Sequence, residues 1–181
     1  MSWPERIEGD GFALRPWRID DADNLVFHAN DAQVAHGLGE RFPHPYTLED
    51  AHAFIAHALH GSSEKTYAIE INGAASGGIG VRPGEGVERH SAEIGYWLGR
   101  AYWGEGIATA AVLAMIPHAL RELELYRLQA RVFDGNHASV RVLERCGFAR
   151  EAVLRRAVMK HGRLLDLHIH AITRDTLDAA Q

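Results

Sequence analysis

The segment YWGEGIATAA, residues 102–111, places small residues at every second position. These are Gly104, Gly106 and Ala108. A glycine inside a helix costs roughly 1 kcal/mol relative to alanine, so helix propensity does not explain the spacing. A strand ending near Leu98 and a helix starting near Gly106 would aim free backbone N–H groups above the break. Such groups bind anions, and the absence of side chains lets a pyrophosphate approach. The segment therefore predicts an anion site.

The same glycines allow other interpretations. Close packing of the helix against a strand is one, and the sequence leaves it open. A dinucleotide-binding turn is disfavoured, because the third glycine of G-x-G-x-x-G would fall on Thr109 and four residues separate the strand from Gly104. No acid ends the next strand at the distance that this fingerprint requires. A P-loop would need GK[ST], which is absent.

Asn136 and Ser139 form a second candidate pair, N-x-x-S, at the start of a predicted helix. An asparagine at this position caps a helix, which is worth about 1 kcal/mol. By spacing alone, capping is the favoured role for Asn136.

Twelve histidines raise the question of a metal site. His57 and His60 share a helical face, and His168 and His170 share a strand face with Asp166. Neither set offers a clear third ligand of known geometry. Exposed helix and strand surfaces explain both sets better, so we expect no metal.

Composition favours an ordinary globular protein. The chain has 181 residues, 46% of them hydrophobic and 24% charged, which predicts a single domain spanning residues 1–181. The net charge of -5 argues against nucleic-acid binding.

Cys146 is the only cysteine, so an internal disulfide is excluded and a reducing cytoplasm is expected. It lies at a predicted helix end, where cysteine more often packs than reacts, and nothing supports an acyl-cysteine mechanism. The N-terminus lacks an apolar signal region and no stretch approaches about 20 apolar residues, so we expect neither secretion nor membrane insertion.

Periodicity and turn residues predict eleven elements in the order β, α, α, β, β, β, α, β, α, β, β. They are a strand at 12–17, a helix from Asp20, a helix from Thr47 to about His60 before Gly61, a hairpin about Asn72-Gly73, a strand at 91–99, a helix from about Gly106 to Leu123, a strand at 126–133, a helix from Asn136 to Arg145, and a final hairpin about His161-Gly162. The segment 31–46 suggests a further short helix followed by a loop. This is a mixed α/β (α+β) domain with a mostly antiparallel sheet of about seven strands, flanked by helices, with one crossover helix.

The segment WGEGIA, residues 103–108, resembles the acyl-CoA pyrophosphate motif of the GNAT N-acetyltransferase superfamily, Q/R-x-x-G-x-G/A. Trp103 stands where Gln or Arg is usual. The form YWGxGxA is similar to the Rim-type branch, which contains the ribosomal-protein N-terminal acetyltransferases. LRPWRIDDADNL, EIGYWLGRAYWGEGIATAA and VFDGNHASVRVLERCGF agree in order, so the resemblance runs from about Phe12 to Arg174. It implies the GNAT acyl-CoA acyltransferase fold, with acetyl-CoA as cosubstrate.

The resemblance also implies where acetyl-CoA binds. In the family, the strand before the motif splays from its neighbour and its unpaired backbone holds the pantetheine arm. Here that strand is residues 94–98. The implied cofactor contacts are Tyr96, Trp97, Leu98, Trp103, Gly104, Glu105, Gly106, Ile107, Ala108, Thr109, Asn136 and Ser139.

The implied chemistry is direct acetyl transfer in a ternary complex. Family positions that match Asn136 and Ser139 contact pantetheine and the CoA sulfur, which makes Ser139 the candidate general acid or thiolate stabiliser. A backbone N–H near Trp97 or Leu98 would meet the oxyanion. An α-amine with a pKa of roughly 7.7–8.0 is partly neutral at pH 7 and could lose its proton through water. Glu93 is the best side-chain candidate for the base, and a role as a cross-strand polar partner is an equally open alternative.

The acceptor is the least determined part. A protein N-terminal α-amine is the leading hypothesis, and a small amine such as a polyamine, amino acid or antibiotic is the alternative. A non-catalytic CoA-binding sensor and an NAD-binding domain are hypotheses from other classes. Loops carry such specificity, and the sequence leaves several candidates unranked. They are the loop 37–46, the segment after Gly84 and the hairpin 160–166, with His36, Glu40, Arg41, Phe42 and Tyr46. A homodimer is an expectation from the resemblance alone.

Overall fold

The computed structural model describes residues 3–60 and 63–178. Gly61, which follows the predicted end of a helix, lies outside these ranges. The strands are β1 (Ile7–Gly9), β2 (Phe12–Arg15), β3 (Lys65–Ile71), β4 (Ala74–Pro83), β5 (Ser91–Leu98), β6 (Arg127–Phe133), β7 (Ala149–Lys160) and β8 (Arg163–Thr173). The helices are α1 (Ala22–Ala29), α2 (Ala32–His36), α3 (Leu48–His60), α4 (Ile107–Glu122), α5 (His137–Arg145) and α6 (Arg174–Asp178).

The strands of the described ranges form one sheet in the order β1-β2-β3-β4-β5-β6-β8-β7. Only β5 and β6 pair in parallel, and α4 connects them, which confirms the predicted crossover helix. In the described ranges the sheet has eight strands and is mostly antiparallel, which agrees with the expected sheet of about seven. The strand that the sequence did not predict is β1, whose three residues are too few to show an alternating pattern and which is set by pairing with β2.

Helices cover both faces of the sheet. On one face, Met115 of α4 packs in a cluster with Tyr67 of β3 and Ile94 of β5. On the other, Leu25 of α1 and Ile55 of α3 form a separate cluster. Burial of these apolar side chains drives the packing. The sheet is therefore the middle layer, and a ligand between β5 and β6 would meet helices on both sides.

Among the helices of residues 3–60 and 63–178, none has both the length and the apolar composition of a membrane-spanning segment.

Candidate active site

The two parallel strands separate after three residue pairs. Ser91, Ala92 and Glu93 of β5 pair with residues 127–129 of β6, and there the pairing ends. From Ile94 to Leu98, β5 pairs only with β4. Its other edge is left open, and unpaired backbone groups there can bind an extended ligand as an added strand. The splay expected at residues 94–98 is confirmed.

The glycine loop, residues 103–106, lies between the end of β5 and the start of α4. Gly104 has φ of 84° and Gly106, the N-cap of α4, has φ of 82°. This left-handed region strongly favours glycine. A Cβ on either residue would meet no atom within 4 Å. The packing interpretation of these glycines is therefore wrong: they permit the turn and leave the space above it open.

Trp103 has a structural role in this loop. Its indole Nε1 donates a hydrogen bond to the carbonyl oxygen of Leu98 over 2.8 Å, and the residue is 45% exposed. The bond ties the loop to the last residue of β5. Trp103 therefore holds the glycine loop against the end of β5, but its side chain has no positive charge that could bind a phosphate.

A cavity of about 340 Å³ lies over the loop and the open edge of β5. We call it the glycine-loop cavity. The predicted contacts that line it are Tyr96, Trp97, Leu98, Trp103, Gly104, Gly106, Ile107, Ala108, Thr109, Asn136 and Ser139. Glu105 is exposed and lies outside the lining. The fold thus brings residues from β5, α4 and α5 to one concave site.

Asn136 is a helix cap, as its spacing suggests. Its Oδ1 accepts a hydrogen bond from the Ser139 backbone N–H over 3.2 Å. Its Nδ2 donates to the carbonyl oxygen of Gly37 over 3.4 Å. Both ends of the amide are thus used within the fold, so any contact of Asn136 with pantetheine stays a prediction.

Ser139 lines the glycine-loop cavity. The residue is half-buried, and its Oγ makes no hydrogen bond to any residue in the described ranges. The Tyr96 hydroxyl donates to the Ser139 carbonyl oxygen over 3.1 Å, and burial raises the pKa of this phenol. A neutral Tyr96 therefore fixes the first turn of α5, while the Ser139 hydroxyl remains available to a ligand.

Glu93 lies on β5 opposite Arg82 of β4. Its carboxylate forms an ion pair with the Arg82 guanidinium over 3.1 Å, and the residue is outside the lining of the glycine-loop cavity. This is the cross-strand arrangement that the sequence left as the alternative. A role for Glu93 as the base stays a prediction, which the ion pair does not favour.

Two arginines that sequence reasoning missed lie at this cavity. Arg141 and Arg145 are exposed on α5 and line the glycine-loop cavity. Neither forms an ion pair with any residue in the described part of the chain. Four residues separate them, which places them on one face of a helix, and this spacing was visible in the sequence. Two unpaired cations beside the glycine loop can meet an anionic ligand.

Cys146 is unsuited to covalent catalysis. It is 4% exposed, its Sγ donates to the carbonyl oxygen of Thr109 over 3.5 Å, and burial raises the pKa of its thiol to about 11. The thiolate required for nucleophilic attack is thus disfavoured. Within residues 3–60 and 63–178, no group of three or more His, Cys, Asp or Glu side chains could hold a metal ion.

A second cavity, of about 590 Å³, adjoins the first. It is lined by parts of α2, Trp103, the end of β6, the start of α5 and Leu165 of β8. The predicted acceptor regions reach it through Gly37 of the loop 37–46 and Leu165 of the hairpin 160–166, and of the five individually named residues only His36 lines it. Phe42 packs instead against Tyr46 and Trp97, with ring centroids 4.9 Å and 5.3 Å apart. These aromatic residues therefore support the Trp97 ring by packing. Glu40 and Arg41 are exposed and line neither cavity.

The acetyltransferase (GNAT) domain family matches residues 12–149. The chain belongs to the GNAT acetyltransferase family. The uncharacterized N-acetyltransferase p20 of Bacillus licheniformis is 37% identical over 176 residues, covering 94% of this chain and 97% of the relative. The putative ribosomal N-acetyltransferase YdaF of Bacillus subtilis is 36% identical over 103 residues, covering 57% of this chain and 56% of the relative.

A solved structure extends these similarities. Mycobacterium smegmatis RimJ, in complex with CoA-disulfide, matches with a TM-score of 0.78 and 27% identity, covering 98% of this chain and 95% of that one. The GNAT fold is therefore confirmed, and the similarity to RimJ and YdaF supports the Rim-type branch. As a GNAT acetyltransferase, the protein is an acetyl-CoA-dependent N-acetyltransferase.

Proposed function

We propose that this GNAT acetyltransferase acetylates the α-amine of a protein or peptide N-terminus, by direct transfer from acetyl-CoA in a ternary complex. The observation that carries the proposal is the open edge of β5, which meets the glycine loop and the Ser139 hydroxyl in one cavity, with a second cavity beside it. The relatives named ribosomal N-acetyltransferases support the choice of acceptor.

Acetyl-CoA would lie along the glycine-loop cavity. Its pantetheine arm would pair with the open edge of residues 94–98, and its pyrophosphate would receive backbone N–H groups at the start of α4. Trp103 supplies no positive charge, so Arg141 and Arg145 would balance the phosphates. This arrangement assigns each part of the cosubstrate to a separate feature of the site.

The transfer itself needs few groups. The neutral amine attacks the thioester carbonyl carbon, and the resulting oxyanion is met by a backbone N–H near Trp97 or Leu98. Collapse of this intermediate breaks the C–S bond, and Ser139 donates a proton to the leaving sulfur and regains one from water. The amine releases its extra proton to water. Because an α-amine is partly neutral at pH 7, the reaction does not depend on Glu93, which is held by Arg82.

We also propose that the protein acts in the cytoplasm, as its single cysteine leads us to expect.

The test compares three kinds of acceptor at saturating acetyl-CoA. They are hexapeptides with a free N-terminal serine, alanine or methionine, the same peptides blocked at the N-terminus and carrying one internal lysine, and the small amine spermidine. Release of the CoA thiol gives the rate, and mass spectrometry locates the acetyl group. We expect the free α-amine peptides to react at least tenfold faster than the others. Faster transfer to spermidine would favour the small-amine alternative, and tight acetyl-CoA binding without transfer to any acceptor would favour the sensor.

A further inference from the structure

Lys160 is a buried lysine that the proposed chemistry does not use. It ends β7 and is 6% exposed. Its ammonium donates hydrogen bonds to the carbonyl oxygens of Ala35 over 3.1 Å and Leu38 over 2.5 Å, and also to that of His36. A lysine has three N–H donors, so all of them are engaged by the end of α2.

Among the carbonyls of residues 35–38, that of Gly37 also accepts a hydrogen bond from a side chain distant along the chain. Gly37 accepts its hydrogen bond from Asn136 Nδ2 over 3.4 Å. The four consecutive carbonyls of residues 35–38 are thus bound by two side chains that lie about a hundred residues or more along the chain. Local groups or water can satisfy the carbonyls at a helix end, so these distant side chains are not needed for hydrogen bonding alone. Their additional effect is to fix the position of residues 35–38 relative to β7 and α5.

The held segment forms a wall between the two cavities. Val34 and Leu38 face the glycine-loop cavity, and His36 faces the second cavity. Gln33 and Gly37 line both. We call residues 33–38 the wall. A shift of the wall would change the shape of both cavities at the place where they adjoin.

Stability alone does not explain a charge at this position. Burial lowers the pKa of Lys160, and the nearby Glu40 carboxylate opposes this shift without forming an ion pair with it in the described ranges. The Phe133 ring, with its centroid 4.9 Å from Nζ, adds a cation–π contact. An apolar side chain of similar size would fill the space without the cost of desolvating an ammonium group. The ammonium differs from such a side chain in that it fixes the direction of three carbonyls.

The second cavity suits the acceptor. Acetyl-CoA takes up the glycine-loop cavity, so in a ternary complex the amine must reach the thioester from another side. Asp134 is the only acid among the residues that line the second cavity, and a carboxylate attracts an amine that arrives protonated. Phe133 and Leu165 add apolar surface for the first side chain of a peptide.

We propose that Lys160 is a positioning residue, which holds the wall so that an acceptor in the second cavity is aligned with the thioester in the glycine-loop cavity. This inference rests on the proposed function. Its signature is a selective effect: loss of the ammonium disturbs the acceptor much more than acetyl-CoA, because only one side of the wall contacts the cosubstrate and most cosubstrate contacts come from β5, the glycine loop and α5.

The test uses Lys160→Met, which keeps the length of the side chain and removes its donors. Lys160→Gln, which keeps two N–H donors without the charge, is the partial rescue. Lys65→Met is the matched control, because Lys65 lies at the start of β3 and lines neither cavity. For each variant, calorimetry gives the Kd of acetyl-CoA, steady-state assays with the N-terminal serine hexapeptide give KM and kcat, and hydrogen exchange follows the amides of Gly37 and Leu38.

We expect Lys160→Met to raise the KM of the peptide at least tenfold, to speed exchange of both amides at least tenfold, and to leave the Kd of acetyl-CoA within twofold. Lys160→Gln should give intermediate values, and Lys65→Met should stay within twofold throughout. A Kd that rises as much as the KM, or a KM that is unchanged while exchange speeds up, would overturn the positioning role and leave the proposed function standing. A wild-type protein that acetylates no acceptor would overturn both.

Discussion

The indole Nε1 of Trp103 donates a hydrogen bond to the carbonyl oxygen of Leu98 over 2.8 Å, and so joins the glycine loop to the end of β5. These two residues flank the break over which the pyrophosphate would lie. Position 103, which usually carries Gln or Arg in this family, thus holds a tryptophan that stabilises the glycine loop by a hydrogen bond to β5. Binding of acetyl-CoA should therefore depend on this donor even though it contacts no phosphate.

Trp103→Phe should weaken acetyl-CoA binding about fivefold. The variant keeps an aromatic ring and removes the N–H, and loss of a hydrogen bond of this kind costs about 1 kcal/mol. Calorimetric titration with acetyl-CoA measures the change. Trp17→Phe is the control, since the buried Trp17 Nε1 has no hydrogen-bond partner in the described part of the chain. Equal Kd values for the two variants would contradict a role for the Trp103 bond.

Gly106→Ala should destabilise the protein and abolish tight acetyl-CoA binding. An alanine at φ of 82° costs roughly 1–2 kcal/mol, and its methyl group would enter the open space above the loop. We expect a Tm lowered by roughly 2–8 °C and a Kd raised at least tenfold, measured by thermal unfolding with and without acetyl-CoA.

Gly73→Ala separates strain from ligand contact. Gly73 has φ of 81°, and a methyl group there would meet no atom within 4 Å, as at Gly106, but the residue lies in the turn between β3 and β4. The Tm of this variant should fall by a similar amount while the Kd of acetyl-CoA stays within twofold. If Gly73→Ala weakened binding as much as Gly106→Ala, the effect would come from general destabilisation.

The sequence predicted the parts of the site that are local. The strand, break and helix around Gly106 follow from short patterns, and the cap at Asn136 follows from one residue type at a helix start. Arg141 and Arg145 could also have been found, because a spacing of four on a helix places two side chains on one face.

The rest depends on contacts that are distant along the chain. Glu93 is paired with Arg82 because of the register between β4 and β5, which the intervening loop sets. Lys160 reaches α2 across more than a hundred residues, and the sequence shows only a lysine before a hairpin turn. No local pattern encodes either partner, so neither role was accessible before the fold.

Ser139→Ala should lower kcat for acetyl transfer by about tenfold to a hundredfold, with little effect on the Kd of acetyl-CoA. General acid catalysis contributes at least this much, and the Ser139 hydroxyl has no other partner in the described ranges. Tyr96→Phe is the informative comparison, because it removes only the bond to the Ser139 carbonyl oxygen. A larger loss of kcat in Tyr96→Phe than in Ser139→Ala would transfer the acid role to the tyrosine.

His170 should make the protein less stable below about pH 6.5. The residue is fully buried and neither ring nitrogen has a hydrogen-bond partner within residues 3–60 and 63–178. Burial, together with the positive charges of His168 and Arg150, lowers its pKa in the folded state. The unfolded chain, with a histidine pKa near 6.5, then binds a proton that the folded chain does not. Stability is therefore complete above this pH and is lost as the pH falls below it.

Urea unfolding at pH 7.5 and pH 5.5 measures this effect. His170→Leu should reduce the loss of unfolding free energy between the two pH values by up to about 1.4 kcal/mol, the limit for one histidine over this range. Other histidines whose pKa is lowered by burial, such as His28, still contribute in the variant, so part of the loss should remain. His57→Leu, on the exposed surface of α3, is the control for removal of a histidine outside the core. Parallel pH profiles for wild type and His170→Leu would show that His170 accepts a proton inside the folded protein. Burial of His170 would then not make the unfolding free energy depend on pH.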